Sequence, residues 1–182
     1  MSVLACVARA EDMAAMAVRR ESVQAAAGMV ACALPIAVAL GSERFLGMIP
    51  CAFCLLERKP YYAGFLAGLL ALLLPRRAAR PMLWLLVVLL GVAAVMSAIH
   101  VGVQWHWWPD PLPECRAPDF TGMSMSQRLA AMPLRPAKLC EDPDYLIPAI
   151  PLSFPEMGVL YALAVAAWLA MWLSITKGRR FR

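Results

Sequence analysis

The sequence predicts an all-α membrane protein: a four-transmembrane-helix bundle with a long external loop between helices 3 and 4. Of 182 residues, 62% are apolar and 16% charged, whereas a soluble domain is roughly half apolar. Apolar runs of about the 20 residues needed to cross some 30 Å of hydrocarbon recur along the chain. The basic residues gather at the ends of those runs, as Arg19-Arg20, Arg76-Arg77 with Arg80, and Lys177 with Arg179, Arg180 and Arg182. Lys and Arg concentrate on the cytoplasmic side of spans, so the net charge of +5 reads as a topology signal. No aromatic-basic motif accompanies it, which argues against nucleic acid. No repeat or low-complexity tract divides the chain, and residues 1–182 read as one domain.

The first span is placed at about 23–45, behind Arg19-Arg20 in the manner of a signal peptide that is retained as an anchor. The second must be built from about 55–74, because the run from Tyr61 to Leu74 alone is short of a crossing. Glu57, Arg58 and Lys59 then fall in the outer interface, with Tyr61-Tyr62 as an aromatic belt. Pro60 allows two helix starts: a late one near Lys59, where a first-turn proline is harmless, or an early one near Cys54 that carries the proline inside. A basic turn leads to Pro81 as first helical residue of span three, about 81–99. Its outer end carries His100, Gln104 and a tryptophan belt, Trp105, Trp107 and Trp108. In the long loop, 123–132 reads either as a short amphipathic helix or as an irregular stretch. Ser153-Phe154-Pro155-Glu156 looks like a capping box opening span four, about 156–175. Four spans put both termini on the basic, cytoplasmic side and the loops 46–54 and 100–155 outside.

That topology brings Cys51, Cys54, Cys115 and Cys140 to one external compartment, away from Cys6 and from Cys32 inside span one. An even set of cysteines in an oxidising compartment is expected to form disulfides. Cys51-x-x-Cys54 closes too small a ring to staple the fold effectively, and its better use is thiol–disulfide exchange. The helix N-terminus and Arg58 one turn on are expected to favour the Cys54 thiolate, against the opposing effect of burial. Cys115 and Cys140, beside Glu114, Glu141 and Asp142, taken alone read as a loop staple; beside Cys51 and Cys54 they read as the second pair of a relay. The four cysteines reach the ligand count for zinc, but without the two close-spaced knuckles of structural sites. Haem attachment would need His where Leu55 stands. Arg58 and His100 are placed to face the carbonyl of a lipid-soluble acceptor such as a quinone.

The nine-residue pattern Pro-Cys-x-x-Cys-x-x-Glu-Arg at Pro50 to Arg58 is followed by His100 with Gln104 one turn on. A loop cysteine pair then precedes the last span, and together these resemble the disulfide bond formation protein B (DsbB) family. The resemblance runs from span one to span four. It implies a bacterial inner-membrane bundle whose cysteine loops are periplasmic, which reoxidises a DsbA-like thiol oxidase and passes electrons to ubiquinone or menaquinone. By position it implies that Cys115 takes the attack of the partner, with Cys140 as its pair. Cys140 then exchanges with Cys51, Cys54 faces the quinone, and Arg58 stabilises negative charge. His100 and Gln104 match quinone-side positions, and no metal site is implied. A DsbA-type disulfide is strongly oxidising, at about −120 mV, so only a stronger acceptor regenerates it. The alternatives are a vitamin K epoxide reductase-like protein, whose quinone-side Cys-x-x-Cys follows the loop pair rather than preceding it, and a nonenzymatic disulfide-stapled or zinc-binding membrane scaffold.

Overall fold

Four long helices pack side by side, α1 (Val3–Leu46), α2 (Ala52–Leu73), α3 (Arg76–Gln104) and α5 (Phe154–Gly178). The computed structural model describes residues 3–115, 121–131, 138–147 and 149–178. α2 lies against both α1 and α3, and α3 lies against α5. Among the described residues there is no strand, only an isolated bridge between Tyr145 and Ser153. Three helical stretches are long and apolar enough to cross a membrane, Arg20–Leu46, Arg77–Gln104 and Phe154–Ile175. α2 is not among them: every 18-residue window in its 22 residues contains Glu57, Arg58 and Lys59.

The helices outrun the expected spans. α1 is continuous from Val3, where only 23–45 was expected, and α3 starts at Arg76, with Pro75 rather than Pro81 at its boundary. Pro60 lies inside α2, which therefore takes the early start. Its buried ring removes one backbone donor, and packing on both sides sustains the helix through the gap. The core is built from small residues where helices approach closely. At Gly64 a Cβ would stand 2.7 Å from the Cys32 sulfur, so Cys32 fills space between α1 and α2 as a small hydrophobe. The side chain of Cys6 and the basic tail from Arg179 lie outside the described residues.

The end of the bundle that carries the cysteines is tied by polar contacts. Ser153 N–H donates to Glu156 Oε2 at 2.7 Å, which is half of the expected capping box. The Ser153 hydroxyl instead donates to Gln104 Oε1 at 2.9 Å, joining α3 to the start of α5. A complete box forms elsewhere: Ser124 N–H donates to Gln127 Oε1 at 2.9 Å and Gln127 N–H to Ser124 Oγ at 3.4 Å. It opens the short, exposed helix α4 (Met125–Ala131). At the opposite end, Arg80 Nη2 donates to the Leu173 carbonyl at 3.0 Å, pinning α3 to α5.

Candidate active site

Cys51, Cys54, Cys115 and Cys140 converge where α2 begins. Cys51 is the N-cap of α2, its extended backbone turning the chain into the helix while Sγ accepts the Cys54 N–H at 3.1 Å. The Cys51 and Cys54 sulfurs stand 2.7 Å apart, one turn of chain bringing both to the same side. Cys115, ending a 3-10 turn (Pro113–Cys115), forms a disulfide with Cys140. Cys51, Cys115 and Cys140 are buried in one cluster with Phe53 and Val103.

His100 stands between the two pairs. Its Nε2 lies 3.7 Å from Cys51 Sγ and 3.2 Å from the Cys140 carbonyl oxygen, and its Nδ1 is 2.7 Å from Glu57 Oε1. The ring packs at 4.9 Å on Phe53 and is 1% exposed, so its position is fixed by packing as well as by hydrogen bonds. Reactive atoms of Cys51, His100 and Cys140 all fall within 4.8 Å of one another, and those of Asp110, Cys115 and Cys140 do the same. Either trio has the spacing of a metal-ligand set. The Cys115–Cys140 disulfide takes the Cys140 sulfur out of both, because a metal needs the thiolate.

The electrostatics favour charge on the first cysteine of the motif rather than the second. Cys51 is pulled below the ordinary thiol range by the hydrogen bond from Cys54 and by backbone N–H donors at the helix start, against burial and the nearby Glu57 carboxylate. Cys54 is pushed up, by its hydrogen bond to Cys51 and by burial. The expected Cys54 thiolate is thus overturned at this geometry: the N-cap position belongs to Cys51. Arg58 does not offset it, since its guanidinium is paired with Glu43 at the end of α1. A lowered thiol keeps its charge as pH falls past the point where an ordinary thiol takes up a proton. In a reduced Cys115→Ser/Cys140→Ser background, thiolate ultraviolet absorbance is expected to show a step below the ordinary thiol range. That step should vanish in Cys51→Ser and move to higher pH in Cys54→Ala, because alanine removes the Cys54 donor that stabilises the Cys51 thiolate.

Beside the motif lies a cavity of about 300 Å³ between α1, α2 and α5, with Ser97 of α3 also in its wall. Its walls are largely apolar, from Leu34, Val38, Ile49 and Met157, and Cys54, Glu57, Arg58 and Tyr61 reach it from α2. Cys54, Arg58 and Tyr61, spaced by four and three residues, form one stripe of that helix. His100 and Gln104 are not in its wall: His100 sits at the cysteine junction and Gln104 holds Ser153. Glu43, Asp110 and Tyr61 are the site residues that sequence reasoning passed over. Glu43 and Asp110 carry no local signal; Tyr61 had one, being on the Cys54–Arg58 stripe, but was read as belt.

A cavity against Cys54 and two cysteine pairs meeting at one histidine lie at the same end of the bundle. The chain matches the family described as disulfide bond formation protein DsbB over residues 21–172. It belongs to the DsbB family. Comparisons with curated proteins and with solved structures each give no match. Membership makes the chain a membrane protein of disulfide bond formation, and the matched stretch contains the Cys51–Cys54 motif, the loop pair, His100 and the cavity-lining residues. As a DsbB-family chain it carries the helical membrane architecture of the group, with three stretches apolar enough to cross.

Proposed function

We propose that the protein is a quinone-dependent thiol oxidase that reoxidises a DsbA-like periplasmic partner. It acts in the bacterial inner membrane, with α2 as a fourth span and both termini cytoplasmic. The observation that carries this reading is the line of groups from Cys115–Cys140, past His100 to Cys51 and Cys54, and on to the apolar cavity. The reaction balances as two-electron exchange. A partner thiolate attacks Cys115, breaking the Cys115–Cys140 bond and releasing the Cys140 thiolate. That thiolate, within 4.8 Å of Cys51 Sγ, attacks the oxidised Cys51–Cys54 pair and releases Cys54 on the cavity side. The partner's second thiolate closes its own disulfide and frees Cys115, which re-forms the bond to Cys140 and releases Cys51. Cys115 is buried, so the partner has to displace part of the loop to reach it.

The cavity fits a quinone. It has largely apolar walls and counts the Cys54 thiol and the Arg58 guanidinium among its lining groups; apolar pockets with a few convergent polar groups begin near this size, at about 300 Å³. A quinone held there supplies the two-electron, two-proton acceptor that restores the Cys51–Cys54 disulfide. Arg58 offers a fork of donors on the acceptor side, and its pairing with Glu43 holds that fork beside the cavity. His100, expected on the acceptor side from sequence, we assign to the exchange between pairs, where its contacts are. Gln104 then acts through Ser153 to seat α5.

The test is quinone reduction by the purified protein in the presence of a reduced DsbA-like protein. Steady turnover is expected. Absence of turnover together with stoichiometric zinc bound by the reduced protein would instead establish the metal-binding scaffold, for which Cys51, His100 and Cys140 have suitable spacing.

A further inference from the structure

Tyr61 is 5% exposed, lines the cavity, and its hydroxyl has no hydrogen-bond partner among the described residues. Burying a hydroxyl without a partner is unfavourable, so such a group in a native core calls for an explanation. Most of the other polar side chains on the cavity wall are committed within the protein. Tyr161 donates to the Ala31 carbonyl at 2.7 Å and Ser42 to the Ala39 carbonyl at 2.8 Å. Arg58 pairs with Glu43, Glu57 with His100, and Asp144 with Lys138. Against that background the Tyr61 hydroxyl is a donor held in reserve at an apolar wall.

Its position says what it would meet. On a helix rising about 1.5 Å per residue, Tyr61 lies roughly 10 Å along the axis from Cys54, on the same stripe. Cys54, Arg58 and Tyr61 follow one another along the cavity wall, Tyr61 lying furthest from the start of α2. A ring with carbonyl oxygens at opposite ends would place one near the Arg58 guanidinium and the other within reach of a deeper donor.

We propose that Tyr61 is a specificity-determining residue whose hydroxyl donates to the inner carbonyl of a 1,4-quinone. This rests on the quinone reading above, and it adds a contact that selects acceptors with a second, inward-facing carbonyl. The phenol bears no charge in this role. It completes its own hydrogen bonding only when the acceptor is bound, so the contact contributes to affinity without stabilising the empty protein.

The test is Tyr61→Phe in the full-length, detergent-solubilised protein, with a short-tailed 1,4-quinone as probe. The melting temperature without quinone should be unchanged or higher, because a buried group lacking a partner has been removed. Quinone binding, read as quinone-induced thermal stabilisation over a concentration series, should weaken about tenfold, the order of one neutral hydrogen bond. KM for quinone should rise by a similar factor with kcat nearly constant, while a single stoichiometric oxidation of the partner by the loop disulfide is unaffected. A variant that binds quinone as tightly as wild type overturns the role of Tyr61 and leaves the oxidase reading intact. A quinone-free melting temperature that falls, or a variant that does not fold, also overturns it, since the hydroxyl would then serve the fold. Wild-type protein that neither binds nor reduces quinone overturns the reading beneath it.

Discussion

Cys54→Ser is expected to abolish quinone reduction, lowering turnover by at least about 10³-fold, as expected when a nucleophile that works as part of a unit is removed. The same variant should still oxidise one equivalent of reduced partner, because the Cys115–Cys140 disulfide is separate from Cys54. Cys115→Ser should give the mirror image. With the partner as donor, turnover is lost to the same degree; with a small dithiol such as dithiothreitol as donor, quinone reduction continues through Cys51 and Cys54. The two variants thus divide the relay at the Cys140–Cys51 junction. Rapid-quench alkylation scores partner oxidation and quinone absorbance scores the acceptor side. If Cys115→Ser retained full partner-driven turnover, the loop disulfide would be a staple and the relay would reduce to a single pair. If Cys54→Ser retained quinone reduction, the cavity beside it would not be the acceptor site.

What the sequence made legible were the features that repeat along the chain or sit within a few residues of each other. Apolar runs located all four long helices, and the motif at Pro50 to Arg58 located the reactive end of the second. What it could not show were contacts between elements. Arg58 sits one turn after Cys54 as expected, yet its charge is taken by Glu43, fifteen positions earlier on α1; no periodicity relates the two. The thiolate preference turned on where the helix begins. A helix starting at Ala52 makes Cys51 the cap and puts Cys54 inside the first turn, and Pro60 gave no reason to choose that start until packing on α1 and α3 was seen. The Ser153 box failed by half for a similar reason: a hydroxyl with a partner on another helix, Gln104, leaves its local amide. His100 was recognised as a site residue, but its neighbours, Cys140 from the long loop and Glu57 from α2, come from 40 and 43 residues away.

That displacement of His100 from the acceptor side to the junction makes His100→Gln the most discriminating substitution after the cysteines. With its Nδ1 held by Glu57 and its Nε2 near both the Cys51 sulfur and the Cys140 carbonyl, the ring can hand a proton to, or take one from, the thiol that forms or disappears in the exchange. Loss of a positioned acid–base group costs about 10²–10⁴-fold in the step it serves. Partner-driven quinone reduction should therefore fall by about 10²-fold in His100→Gln. Dithiothreitol-driven quinone reduction bypasses the loop pair and should change little, and the single oxidation of partner by Cys115–Cys140 should remain fast. Glu57→Gln should lower partner-driven turnover less, because it leaves the imidazole in place with a neutral partner. Equal losses with both donors in His100→Gln would return the histidine to the acceptor side, where the sequence first placed it. A loss confined to the protein donor means that the distance from Cys140 to Cys51 is crossed with the help of His100, and that His100 takes no part on the acceptor side.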